Sequence, residues 1–238
     1  MASLDTTTQA RLQAVHDRIE RAALAAGRDP ARVMLVAVTK TFGAERVREA
    51  LAAGQRRFGE NYLQEALAKI DEVARAEPGP APEWHFIGPI QSNKTRELAE
   101  RFDWVQTVDR LKVAERLSAH RPAALPPLNV LLQVNISAEA SKHGVAPAEA
   151  AALARQVAAL PRLRLRGLMA IPAPGADPVR QRAPFARMRE LLEQLRRDLP
   201  GAPLDTLSMG MSDDLEAAVA EGSTMVRIGT AIFGARKP

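Results

Sequence analysis

The stretch Val33-Met34-Leu35-Val36-Ala37-Val38-Thr39-Lys40 sets six apolar residues in a row and ends them on a threonine and a lysine. A Val/Leu-rich run with a helical pattern on either side reads as a strand buried on both faces. Lys40 then stands at the strand's carboxyl end, the edge where α/β barrels and open α/β sheets bind ligands. Two readings of this lysine follow. A partly desolvated amine disfavours the ammonium form and becomes a nucleophile of the kind that forms Schiff bases. Alternatively, the side chain snorkels from the strand end to water.

Working outward, residues 5–27 read as an amphipathic helix with Leu12, Val15, Ile19, Ala22 and Ala23 on one face, stopped by Gly27 and Asp29-Pro30. Beyond the first strand, at 33–39, the patterns alternate. Strands are predicted at 57–61, 84–88, 104–108, 128–135, 163–171, 206–210 and 225–229. Helices are predicted at about 44–53, 62–76, 92–101, from 109 onward, 147–160, 179–199 and 213–221. Ser92 and Asp109 are read as helix caps. The proline-rich 77–82 segment reads as a surface loop, and Pro172-Ala173-Pro174-Gly175 breaks the sixth strand. Repeated βα units imply parallel strands with right-handed crossovers. The expected fold is a closed (β/α)8 TIM barrel, one domain spanning 1–238, with an open doubly wound sheet as the alternative.

Composition narrows the function. Of the 238 residues 46% are hydrophobic and 26% charged, as in a globular protein, and no apolar run is long enough to suggest a transmembrane helix. No signal peptide is evident at the N-terminus, so a cytoplasmic protein is expected. With no cysteine, thiolate catalysis, disulfides and Cys-type zinc sites are excluded. The net charge of +5 is spread along helices among acids, as in Arg187-Met188-Arg189-Glu190, and aromatics are only 4%. That pattern marks solvated helix faces, so no nucleic-acid partner is expected. The four histidines, His16, His85, His120 and His143, have no metal-ligand spacing.

The predicted strand ends carry the polar groups: Lys40, Asn61, His85 through Gly88, Asn135, Met169, Ser208, Gly210, Arg227, Gly229 and Thr230. Ser208-Met209-Gly210-Met211-Ser212-Asp213 leads into a helix, and Ile228-Gly229-Thr230 follows the eighth strand. Both offer hydroxyls and backbone N–H groups to an anion, and barrels commonly hold phosphate with these last two loops. Ser212 also reads as a simple helix cap. In Met225-Val226-Arg227-Ile228-Gly229, Val226 and Ile228 share one face and Arg227 takes the other. If the apolar pair packs on the helices, Arg227 points into the barrel and needs a partner, either a carboxylate or a ligand atom.

Ala37-Val38-Thr39-Lys40, Phe58-Gly59-Glu60-Asn61-Tyr62, the run from His85 to Lys94, Ser141-Lys142-His143-Gly144, Gly167-Leu168-Met169, the Ser208–Asp213 segment and Arg227 to Gly234 occur in this order. Together they closely resemble the pyridoxal phosphate homeostasis protein family. The resemblance implies a barrel like the N-terminal domain of alanine racemase, with pyridoxal 5′-phosphate (PLP) held as a Schiff base on Lys40. It implies a phosphate site at Ser208, Ser212, Gly229 and Thr230 with backbone of both loops, including Met209 and Gly210. Arg227 would face the pyridine nitrogen, and Asn61, Met169 and His85 would lie along or near the cofactor. One departure from the family pattern, Phe42-Gly43, falls outside these motifs. The implied role is cofactor buffering or delivery, with PLP-dependent apo-enzymes as transient partners. The alternative is a weak amino-acid racemase of the alanine racemase fold. An arginine, with a pKa above 12, keeps its proton from the pyridine nitrogen and weakens the ring as an electron sink. The chain has a single tyrosine, Tyr62, and no second domain is expected. A monomer is expected, and Lys142 and Arg236-Lys237 are candidate second anion sites.

Overall fold

The computed structural model describes residues 7–76, 79–137, 143–173 and 178–235. Its centre is a closed barrel of eight parallel strands in sequential order, with the eighth paired back onto the first. The strands are β1 (Met34–Val38), β2 (Arg57–Glu60), β3 (Glu83–Phe86), β4 (Trp104–Val108), β5 (Leu128–Gln133), β6 (Leu163–Met169), β7 (Thr206–Ser208) and β8 (Met225–Ile228). The helices are α1 (Thr8–Ala25), α2 (Ala44–Ala52), α3 (Leu63–Ala76), α4 (Thr95–Arg101), α5 (Leu111–His120), α6 (Ala150–Ala158), α7 (Pro178–Asp198), α8 (Leu215–Ala220) and α9 (Thr230–Phe233). The barrel expectation is met, and the open sheet is set aside by the β1–β8 pairing.

Helix formation follows the apolar spacing. In α1, Leu12, Val15, Ile19, Ala22 and Ala23 are buried as one stripe, and Thr7 caps the helix by accepting from Ala10 N at 3.2 Å. In α3, Ala66, Ile70 and Val73 recur on one face, and Lys69 is buried beside them. Strand residues alternate between two apolar layers. Outward side chains, such as Leu35, Ala37, Val130, Leu132, Val226 and Ile228, pack with the helices in the main core. Inward ones, Val36, Trp104, Leu131, Met169 and Met225, fill the barrel centre. β6 bulges against β5, so that Val130 and Leu131 face Leu165 and Gly167 with Arg166 left over. Gly167 has φ +147, and a Cβ there would meet Thr206 O at 1.8 Å.

Several predicted helix ends differ. Ser92 opens a 3-10 turn, Ser92–Lys94, instead of capping α4, and Gln91 precedes that turn. Asp109 accepts from Arg110 Nη1 at 2.6 Å, and the cap position of α5 falls to Arg110. Ser212 lies two residues before Asp214, the cap position of α8, so it does not cap that helix. None of these three starts carries a side-chain cap hydrogen bond, so the capping that local propensity assigned to the hydroxyl or carboxylate is not used there. The one-turn α9 follows β8 where the sequence suggested only a loop. Lys142, Arg236 and Lys237 lie outside the described residues. No described helix is long and apolar enough to cross a membrane.

Candidate functional site

The carboxyl ends of the strands enclose a cavity of about 210 Å³. Val38 and Lys40 enter it from the end of β1, Asn61 from β2 and Ile87 from β3. Ile171 follows β6, and Met211, Ser212 and Asp213 follow β7. Arg227, Gly229 and Thr230 come from β8 and the start of α9. Phe42 also lines it and packs on Phe233, with ring centroids 5.4 Å apart. Phe42, the first residue of the Phe42-Gly43 departure, is therefore part of the wall, which its place outside the recognised motifs did not show.

Lys40 sits in a turn that closes when Phe42 N–H donates to Thr39 O at 3.1 Å. The residue after it, Thr41, has φ +70. A β-branched residue in the left-handed region is strained and persists only where its surroundings hold it. Asn61 brings an unusual atom: its Oδ1 is buried and has no hydrogen-bond partner. An acceptor stripped of water without a donor is costly, and a ligand hydroxyl or N–H is the group it lacks.

Arg227 does point inward, as the alternation of β8 implies. It is 4% exposed. Nη1 donates to Ser208 Oγ at 2.7 Å and Nη2 to Ala170 O at 2.9 Å. No carboxylate forms an ion pair with it among the described residues; Asp214 acts on it only through space. Burial lowers its pKa to about 10, below the value above 12 expected of an arginine, yet still well above neutrality. The guanidinium therefore stays charged at pH 7.

Behind Arg227 runs a chain of hydrogen bonds through the barrel. Ser208 Oγ donates to Gln106 Oε1 at 2.7 Å, and Gln106 Nε2 lies 2.9 Å from His85 Nδ1. His85 Nε2 is 2.8 Å from Glu83 Oε1. An amide N–H on one side and a carboxylate on the other assign an accepting Nδ1 and a donating Nε2–H. The ring is fully buried and stacks on Trp104 at 5.3 Å, and burial depresses its pKa. His85, Ser208 and Met169 thus lie in the barrel interior and do not line the cavity. Met209 belongs to the outer core, and Gly210, at φ +99, turns the chain close to Ala218. Lys40, Asn61, Ser212, Arg227, Gly229 and Thr230 are brought together. Gln106 escaped sequence reading, although a lone glutamine in the apolar strand Trp104–Val108 was its signal.

The loop after β7 is fixed partly from outside the barrel. Arg18 of α1 donates to Ser212 O at 2.9 Å and pairs with Glu216 at 2.9 Å. Met211 N–H donates to Asp214 Oδ1 at 2.5 Å. Thr230 opens α9, so its N–H has no intrahelical acceptor and is available to an anion.

A closed parallel barrel with a lysine at the end of β1, a buried arginine on β8 and hydroxyl-bearing loops after β7 and β8 defines a class. Residues 10–237 match the family described as alanine racemase, N-terminal domain. An alanine racemase from Corynebacterium glutamicum shares the fold at TM-score 0.68 and 19% identity, over 94% of this chain and 62% of that one. Within the class the resemblance is much closer. The chain is 63% identical over 231 residues to the pyridoxal phosphate homeostasis protein of Pseudomonas aeruginosa, covering 97% of this chain and 96% of that protein. PipY of Synechococcus elongatus PCC7942, solved with PLP bound, superposes at TM-score 0.79 with 40% identity over 91% of this chain and 99% of that one. The chain belongs to the pyridoxal phosphate homeostasis protein family.

Proposed function

We propose that this protein binds PLP in the cavity at the carboxyl end of the barrel and serves as a cofactor buffer or carrier. The observation that carries the reading is the meeting of Lys40, Arg227, Asn61 Oδ1 and the Ser212 and Gly229–Thr230 loops in one cavity. These groups fit the cofactor's parts. The Lys40 amine suits its aldehyde, and the cofactor when bound supplies that aldehyde and an electron-accepting ring. The Ser212 and Thr230 hydroxyls and the first N–H groups of α9 suit the phosphate. Asn61 Oδ1 suits a ring hydroxyl. His85, Met169, Ser208, Met209 and Gly210 form the supporting layer beneath.

Arg227 favours the carrier over the racemase reading. With a pKa of about 10, its guanidinium keeps its proton at neutral pH. Placed against the ring nitrogen of the cofactor, it would leave that nitrogen unprotonated and the ring a weak electron sink. The single tyrosine, Tyr62, is 55% exposed and is not among the residues lining the cavity. A cytoplasmic monomer that meets PLP-dependent apo-enzymes transiently is the working picture for delivery.

The test is an absorption spectrum of the purified protein with PLP, before and after borohydride, beside Lys40→Ala. A visible band that borohydride removes, leaving the cofactor attached to the wild-type chain and not to the variant, is the expected result. A wild-type chain that develops no band overturns the reading.

A further inference from the structure

Beneath the Lys40 turn lies a charged cluster that the cavity does not use. Lys69 of α3 is 4% exposed. An ammonium has three donors, and all three are engaged: Thr39 O at 2.8 Å, Glu60 Oε1 at 2.6 Å and Glu65 Oε1 at 3.0 Å. Glu65 stands one turn before Lys69 on the same helix, and its Oε1 also accepts from Thr41 N–H at 2.6 Å. Thr39 Oγ1 donates to Glu60 Oε1 at 2.5 Å.

The placement of these bonds is specific. Thr39 O belongs to the peptide group before Lys40, and Thr41 N–H to the peptide group after it. The relative rotation of those two planes is the φ and ψ of Lys40, which set the direction of its Cα–Cβ bond. Both planes are tied to α3, and the residue whose N–H is held, Thr41, has φ +70. An isolated turn of this sequence would relax out of that conformation.

We propose that Glu65 and Lys69 are positioning residues for Lys40, gripping the two peptide groups that flank it so that its amine enters the cavity in one direction. This rests on the reading of Lys40 as the cofactor-bearing lysine. In that reaction the amine adds to the aldehyde carbon and one water leaves, with nothing oxidised or reduced. The grip takes no part in the step and acts only by holding the nucleophile in place. A misplaced nucleophile reacts slower by tenfold or more.

The experiment compares Glu65→Ala, Glu65→Gln and Glu72→Ala in the full chain; Glu72 is exposed on the same helix. Glutamine keeps an acceptor for Thr41 N–H, and alanine removes it. Two quantities are read: amide exchange of segment 38–44 without cofactor, and the rate at which the visible band grows when PLP is added. The expected result is exchange and band formation both changed at least about tenfold in Glu65→Ala. Glu65→Gln should stay within about threefold of wild type, and Glu72→Ala should match it. A wild-type rate in Glu65→Ala overturns the proposal, as does Glu65→Gln behaving like Glu65→Ala, which would show that charge alone matters. Glu60→Gln/Lys69→Met, a neutral pair without the grip on Thr39 O, should be slowed likewise, and a wild-type rate there removes Lys69 from the role. A wild-type chain with no band fails the cofactor reading instead, while the exchange data still report whether the grip exists.

Discussion

Arg227 and Ser208 are joined by a 2.7 Å hydrogen bond in which the guanidinium donates, so the hydroxyl proton is free to go to Gln106 and nowhere else. The serine is thus the coupling between the cation at the cavity and the polar chain that ends at Glu83. Ser208→Ala leaves a buried donor and a buried acceptor unpaired. It should cost about 1–3 kcal/mol in urea unfolding. A double-mutant cycle with Arg227→Met should show that the two losses are not additive.

His85 gives a pH dependence. Its unfolded imidazole takes up a proton near the ordinary 6.5, while the buried ring resists it. As pH falls through 6.5 the unfolded chain therefore binds a proton that the folded chain does not, and stability declines. Stability is fully present above that pH. The urea midpoint should be lower at about pH 5.5 than at about pH 7.5 in the wild type, and the difference should shrink in His85→Gln.

Lys69→Met removes the cation from a carboxylate whose side chain is fully buried, that of Glu60, whose pKa burial already raises. The expected loss is about 3–5 kcal/mol. Glu60→Gln/Lys69→Met should recover most of it, measured by thermal or urea unfolding, because neither partner is then left charged and alone.

Gly88 follows β3 where the chain passes very close to β2. A Cβ there would lie 2.0 Å from Asn61 O, a backbone atom with no flexible end to move aside. Gly88→Ala should lose about 1–3 kcal/mol of stability. It should also weaken PLP binding by shifting Asn61, which a cofactor titration by absorbance would detect.

Much of this architecture is legible before any coordinates. The run from Val33 to Val38 reads as a buried strand because nothing in it alternates, and Arg227 reads as inward because its neighbours do alternate. Lys40, Asn61 and the two late loops follow from the rule that strand ends of one polarity share an edge. What escapes is set by tertiary partners. Ser92, Asp109 and Ser212 have the chemistry of caps but are used otherwise. Ser208 looks like a phosphate ligand, yet its hydroxyl is committed to Arg227 and Gln106, which is 102 residues away along the chain. Lys69 falls between Ala66 and Ile70 on the apolar face of α3, a misplaced charge that sequence alone does not explain without Glu60 and Thr39 opposite.

The pairing of β1 with β8 has a consequence for the protein's birth. Lys40 is translated well before Arg227, Gly229 and Thr230, which line the same cavity. Until β8 is translated, Met34 to Ala37 lack the neighbour that β8 provides. A nascent chain at that stage therefore presents Lys40 with neither Arg227 nor the Gly229–Thr230 segment opposite it. Cofactor retention should begin only after β8 has been made, and ribosome-bound fragments ending before Met225 should fail to hold PLP.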